Sequence, residues 1–351
     1  MRSLIAYFLK IASVLVAFAT LLSYLSPYVN PGRFPWIAFF GTAYPWLLLL
    51  NLLLLFLWWW GRNRFAFYHL GIILMGWNAL SGFWGMHWAK DPIPEDSMLV
   101  MTHNLGNILG NKKRTADNYQ QAADAYAAYL RQQGVPDVIC TQETSVYFYR
   151  RLAENLGYAH TFNLKKGTVI LSKYPMEAGG DIPLGKTANS ALWADLNAAG
   201  RVLRVYNVHL QSNRVTAQTE KVLEDPDAID HGSFNEVGGI LWKVGEATSI
   251  RADQSEKVRE HIGSCKHPVL VCGDLNDTPN SYVYRVISND MHDAFREKGL
   301  GSGATFAGVL PFLRIDYVLS SQDLQPFRCK TLTKRFSDHY GVMATVGWPN
   351  K

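Results

Sequence analysis

The first ninety residues of this chain contain no aspartate and no glutamate. Their only basic side chains are Arg2, Lys10, Arg33, Arg62, Arg64 and Lys90. The other 261 residues hold 28 Lys and Arg against all 29 Asp and Glu, so the overall charge of +5 belongs to the first part and the second is nearly neutral. That balance removes whole-chain charge as an argument for nucleic acid, while leaving room for a local basic patch. Cysteine is scarce too: there are four in 351 residues, at spacings that match no zinc cluster. Cys140 in "DVICTQE" and Cys272 in "VLVCGD" read as small buried hydrophobes. Cys265 and Cys329 could pair in an oxidising compartment, though nothing in the sequence requires it.

What the first part has is apolar length. Three stretches, roughly Ile11–Tyr28, Trp36–Trp60 and Phe65–Trp84, each approach the ~20 residues that cross a bilayer as a helix. A signal peptide accounts for the first stretch but not for the other two. A buried soluble core would show polar faces, and these are almost absent. Residues 1–90 are therefore expected to form a membrane domain of three transmembrane helices. Arg2, Lys10, Arg62 and Arg64 favour a cytoplasmic N-terminus and second loop. Three crossings then place the rest on the outer face of the inner (plasma) membrane, which is periplasmic in a bacterium.

The acidic, proline-containing "DPIPEDS", 91–97, reads as a linker. Residues 98–348 alternate short strands with a few helices, expected at 117–133, 146–156 and 239–263. The pattern suggests an α+β or layered sandwich, not strict βαβ repetition. Several strands end in ionisable or amide groups: Asn104, Glu143, His209, and Asp274 with Asn276. Two further clusters, Arg314-Ile315-Asp316 and Ser337-Asp338-His339, flank the last strands. One polar strand end is explained by solubility, but this many, rich in Asp, Glu, Asn and His, point to a convergent site at a sheet edge.

The stretches "THNLGN", "PDVICTQE", "GTVILSKYPM", "YNVHLQSN", "VLVCGDLNDTPNS", "RIDYVLS" and "SDHYGVMATV" resemble, in order and spacing, the endonuclease/exonuclease/phosphatase superfamily. Any one of them is weak; all seven in order are specific. The resemblance implies an α/β four-layer sandwich of two central, mostly antiparallel sheets flanked by helices. It also implies metal-dependent phosphate-ester hydrolysis, usually with Mg²⁺ and with Mn²⁺ as a second option. By that resemblance Glu143 is the primary metal ligand, with Asn104 and Asp338 on the metal side. His339 faces the reacting phosphate and Asp316 orients its ring. Asp274 and Asn276 position or activate the attacking water, and His209 matches a second histidine that stabilises charge on the phosphate or leaving oxygen. One departure stands out: some relatives carry an acidic residue shortly after the first Asn, where "NLGN" offers only Gly106 and Asn107.

The residue types suit that chemistry. Magnesium takes oxygen ligands, often one or two carboxylates with waters and substrate phosphate. A soft tetrahedral site would call for clustered cysteine or histidine. Simpler roles remain for some residues: Asn276 can cap the turn before "DTPNS", and His103 points away from Asn104 by period-two alternation. Arg251 and Gln254 lie on the helix ahead of "PVLVCGD" and face the site only if that helix packs there. For substrate, the first expectation is a phospholipid headgroup diester or lipid phosphate at the bilayer. The alternatives are nucleic acid, cut by an envelope endonuclease or exonuclease, and soluble phosphomonoesters. A nuclease calls for a basic stripe, with candidates Lys165, Lys166, Lys186, Arg201, Arg204, Arg214, Lys334 and Arg335. No protein partner is implied.

Overall fold

The computed structural model describes residues 2–89, 91–164, 167–213, 233–308 and 310–349. Lys165, Lys166, Arg214 and most of the 213–238 loop thus lie outside the described residues. The chain opens with helices α1 (Arg2–Leu25), α2 (Ile37–Trp60), α3 (Phe65–Met75) and α4 (Trp77–Phe83). Then follow β1 (Trp84–Met86), β2 (Met98–Asn104), α5 (Ala116–Gln133), β3 (Val138–Gln142), α6 (Val146–Leu156), β4 (His160–Asn163) and β5 (Val169–Ser172). The middle comprises β6 (Met176–Ile182), β7 (Ser190–Ala198), β8 (Arg201–His209), α7 (Ser233–Gly263), β9 (Val269–Asp274) and α8 (Tyr282–Ser288). The end comprises β10 (Met291–Asp293), α9 (Ala294–Lys298), β11 (Leu300–Ser302), β12 (Asp316–Ser321), β13 (Gln325–Thr331) and β14 (Val342–Gly347).

Two six-stranded sheets, ordered β13-β14-β2-β3-β5-β4 and β10-β12-β9-β8-β7-β6, pack face to face. All pairings within them are antiparallel except β2 with β3 and β8 with β9. Between the sheets lies an apolar layer that includes Val100, Val138, Cys140, Leu203, Val205, Leu270, Cys272 and Val318. On the outer face of the first sheet, Tyr126 and Leu130 of α5 and Phe148 and Leu152 of α6 cover Met101 and Ile139. On the second, Val258 and Ile262 of α7 and Val283 and Ile287 of α8 cover Tyr206, Val208 and Val271. The order is therefore helix, sheet, sheet, helix. All four cysteines are free thiols, so Cys265 and Cys329 do not pair.

The expectation of three membrane-crossing helices needs correction. Among the described residues two helices have the length and composition to cross a bilayer, Leu4–Tyr28 and Ile37–Trp60, with mean hydropathies of 2.2 and 1.8. The third apolar stretch breaks at Gly76, where the backbone leaves the helix. Glycine is a poor helix former, and here the Tyr24 ring occupies the space a Cβ would need. The resulting α3 has 11 residues, about 16 Å of rise against a hydrocarbon layer of about 30 Å. The chain then turns into the sandwich. Phe83 O accepts from Gly303 N at 3.0 Å, Gly82 O accepts from Arg314 Nη1 at 2.7 Å, and β1 pairs with β11. Sequence composition showed apolar length but not that its last part hydrogen-bonds to Gly303 and Arg314 and pairs with β11.

Candidate active site

Register explains why the polar strand ends meet. Along β2, Met98 and Val100 face the other sheet, so Asn104 does as well; along β9, Leu270 and Cys272 carry Asp274 to the same layer. Val318 does this for Asp316, and Leu203 and Val205 do it for His209. The parallel pair β2–β3 ends at Asn104 opposite Gln142. The parallel pair β8–β9 ends at His209 opposite Asp274, and β12 begins with Asp316 opposite Asp274. Both parallel pairs finish at the same edge of the sandwich. One tier below, Gln142 Nε2 bridges Thr102 Oγ1 at 3.1 Å and Asn207 Oδ1 at 2.7 Å, joining the two sheets under the site.

Asp274 is the hub and is fully buried. Its Oδ2 accepts from Asn104 Nδ2 at 3.0 Å and Asn276 Nδ2 at 3.2 Å, and its Oδ1 from Asn276 N at 2.8 Å. His209 Nε2 and His339 Nε2 each lie 3.9 Å from Oδ2. Burial, with the negative charge of Asp316 nearby, pushes the Asp274 pKa up to about 7. His339 Nδ1 pairs with Asp316 Oδ2 at 2.9 Å. Burial opposes charge on that ring, but the Asp316 and Asp274 carboxylates outweigh it and hold its pKa up at about 10. His209 has less to offset its burial and drops to about 4. Two histidines on one carboxylate thus take opposite states near neutral pH, His339 charged and His209 neutral.

Glu143 stands at the open side, its side chain 48% exposed, with Oε1 3.2 Å from Asn104 Nδ2 and 3.6 Å from His209 Nε2. Its backbone holds a positive φ of 53°, and the space beside it exists because residue 106 is glycine. A Cβ there would come within 2.7 Å of Glu143 Oε2 and 3.1 Å of Asn104 Oδ1. An acidic side chain at position 106 therefore has no room in this arrangement. Asn104 turns its amide nitrogen to the carboxylates, while its Oδ1 accepts from Gly106 N at 2.9 Å. Asp338 is half-buried beside His339, its pKa raised by burial. Asn276 sits in the turn at a φ of 52°, and its Nδ2 also donates across to Leu210 O, just past β8, at 3.0 Å.

A divalent cation fits this donor set. Asp274, Asp316 and His339 bring ligand atoms within 4.8 Å of one another. The Asp316 Oδ1 in that group is buried without a partner. Carboxylate oxygens around a glycine-lined gap suit a hard ion.

Several contributing residues escaped sequence reasoning. Asn189 Nδ2 lies 3.0 Å from His209 Nε2, and Thr187 Oγ1 links Asn189 Oδ1 to Gln211 Oε1 at 3.1 and 2.8 Å. No strand-end pattern marks them, because they precede β7 and reach the site only through its pairing with β8. Arg251 and Gln254 do pack here: Arg251 Nη1 donates to Gln211 O at 3.0 Å, and Gln211 N donates to Gln254 Oε1 at 2.8 Å. His103 is structural, buried between Tyr126 Oη at 2.6 Å and His339 O at 3.0 Å.

A sandwich with a buried acid and histidine cluster at one edge defines a divalent-metal-dependent phosphoesterase. The sequence profile of the Endonuclease/Exonuclease/phosphatase family matches residues 76–339, and the chain belongs to that family. A second profile, a domain of unknown function designated DUF8431, matches residues 6–83. No curated protein matches in sequence. Among solved structures, a Bacteroides thetaiotaomicron endonuclease/exonuclease/phosphatase family protein superposes with a TM-score of 0.54 at 16% identity, covering 72% of this chain and 98% of that one. A mannosyl-6-phosphatase from the same species gives 0.53 at 16% identity, covering 71% and 99%. D. rerio TDP2 complexed with single strand DNA product gives 0.50 at 16% identity, covering 71% and 98%. At such identities these structures speak for the fold.

Proposed function

We propose that the chain is a membrane-anchored phosphodiesterase in which Asp274 and His339 act on water and phosphate. The observation that carries it is the pair of side chains 3.9 Å apart, the Asp274 carboxyl at the hub and the His339 ring beside it. Near neutral pH Asp274 takes a proton from the attacking water, which Asn276 holds in line. As the new P–O bond forms, the P–O bond opposite breaks and the departing alkoxide takes a proton from solvent. Protonated His339, oriented by Asp316, offsets charge on the phosphate oxygens. Neutral His209 offers a hydrogen bond from the other side. Glu143, with Asn104 and Asp338 beside it, holds the metal. Because His339 is committed to Asp316, the half-exposed Glu143 is the better ligand. The oxygen-rich set favours Mg²⁺, with Mn²⁺ able to replace it. The metal, when bound, neutralises phosphate charge.

Two substrate readings each have their own support. The likeness to TDP2 holding a DNA product favours nucleic-acid-type phosphodiesters. Of the basic candidates among the described residues, Arg201 and Arg204 are engaged by Asp96 and Asp195. Exposed Lys186, Lys334 and Arg335 flank the segments leading to Asn189 and His339 and suit a short single strand. A lipid headgroup diester is favoured by a different fact: Asn280, four residues beyond Asn276, donates to Ser23 O in α1. Four residues of chain span at most about 14 Å, so the site lies close to the apolar helices.

Those helices anchor the chain in this reading. The catalytic domain touches the α1–α2 connection, where Ser249 Oγ donates to Pro31 O at 3.1 Å and Asn30 Nδ2 to Glu256 Oε1 at 2.9 Å. Arg2, Lys10, Arg62 and Arg64 lie toward the other ends of α1 and α2, the side that the charge bias assigns to the cytoplasm. Purified full-length protein with Mg²⁺, offered single- and double-stranded DNA, phospholipid vesicles, inositol phosphates and sugar phosphates, decides the substrate. Cleavage of DNA alone, lost in E143A and H339A, retires the lipid reading; cleavage of none of them by active-site-intact protein retires both.

A further inference from the structure

The turn that leaves β9 and carries Asn276 is gripped from two sides. On the sandwich side, Asp277 meets the Arg251 guanidinium at 3.4 Å, and Asp277 O accepts from Tyr317 Oη at 2.8 Å. On the other side it meets the helical unit. Ser23 O, near the end of α1, would ordinarily accept from the N–H of residue 27, but residue 27 is proline and has none. Ser23 is fully buried, so its carbonyl cannot turn to water. Asn280 Nδ2 supplies the missing donor at 3.0 Å. Two glycines close the contact. A Cβ on Gly41 in α2 would overlap Asn280 O, and one on Gly82 in α4 would come within 2.6 Å of Pro279 Cβ.

We infer that Asn280 is a positioning residue for the proposed hydrolysis: by capping α1 from the catalytic turn it makes the helical unit part of the scaffold that aims Asn276 and Asp274. The inference rests on the reading of Asp274 and Asn276 given above. The helical unit is thus more than a tether, because its end carries one wall of the turn. A purely structural cap would serve α1 equally well from any donor, whereas a positioning cap works through the turn to which it belongs.

The test uses the full-length protein, with bis(p-nitrophenyl) phosphate and Mg²⁺ as the assay and hydrogen exchange of the Leu275–Ser281 amides as a second readout. Asn280→Ala is expected to lower kcat about ten- to a hundred-fold with little change in KM, and to speed exchange in the turn. Gly82→Ala, which presses on Pro279 from the other side, is expected to do the same. Asn30→Ala and Ser249→Ala loosen the same docking surface away from the turn and are expected to leave kcat unchanged. Pro27→Ala restores an N–H to Ser23 O, so Pro27→Ala/Asn280→Ala is expected to regain the melting temperature but not kcat. Recovery of kcat in that double variant, or equal kcat in Asn280→Ala, Asn30→Ala and wild type, overturns the positioning role. A wild-type protein that leaves the diester uncut refutes the reading of the site instead, while the exchange comparison still reports on the clamp.

Discussion

In the helical unit Asn51 donates to Thr20 Oγ1 and meets His69 Nδ1, both at 2.8 Å, and Trp58 Nε1 donates to Ser13 Oγ at 2.8 Å. In the sandwich His339 meets Asp316 at 2.9 Å, and Asp274 stands beside both. Both regions bury a histidine within hydrogen-bond distance of a polar side chain, yet only one reads as chemistry. An amide partner engages one nitrogen of a histidine without charging the ring, so the Thr20–Asn51–His69 chain acts as neutral glue between helices. A carboxylate partner fixes a proton on the ring, and a second carboxylate close by makes that proton useful. The sandwich edge is also open through half-exposed Glu143.

The sharpest way to break this comparison is to remove charge at the edge. E143A, D274N and H339A are each expected to lower kcat/KM by about 10²- to 10⁴-fold, with circular dichroism unchanged, and chelation should abolish activity in the wild type. N51A and H69A should leave the rate within about two-fold of wild type; a large loss of rate in N51A would falsify the division between glue and chemistry.

Smaller effects refine the edge itself. G106A crowds Glu143 and is expected to raise the Mg²⁺ concentration for half-maximal rate by about 10- to 100-fold, read from metal titrations at fixed substrate. For pH, the sign follows from the required states. Activity needs Asp274 ionised, so it falls as pH drops through about 7, and it needs His339 protonated, so it falls as pH rises through about 10. Removing the Asp316 charge takes away a support of the His339 proton, so D316N should move the alkaline limb down by at least about one unit. An unmoved alkaline limb assigns it to another group. Smallest of all, N51A should destabilise helix packing by about 1 kcal/mol, seen as a lower melting temperature with hydrolysis intact.

Much of the sandwich was legible before the structure. The helices expected at 117–133, 146–156 and 239–263 correspond to α5, α6 and α7, since their apolar periodicity is strong and Thr115 and Ser145 cap the first two. The strand ends Asn104, His209 and Asp274 also stood out, because an apolar run that stops at an amide, imidazole or carboxylate is unusual. Illegible were Asn189, Thr187 and Gln142, whose roles depend on which strand lies alongside. The break at Gly76 was hidden for a related reason: a window of composition averages across one residue, and the Tyr24 ring that fills its side comes from another helix.

The order of residues alone determined which side chains share a strand face, how long the apolar runs are, and that acids are confined to the second part of the chain. Those properties are local, set by the two-residue repeat of a strand and by the solvent each segment can tolerate. Only the folded arrangement decided that two parallel strand pairs end at one edge, that one histidine pairs with a buried carboxylate while its neighbour meets an amide, and that a proline just past α1 leaves a carbonyl for Asn280 to cap. Each of these depends on distances between segments remote in sequence, where pairing register and burial, and not residue type, set the electrostatics.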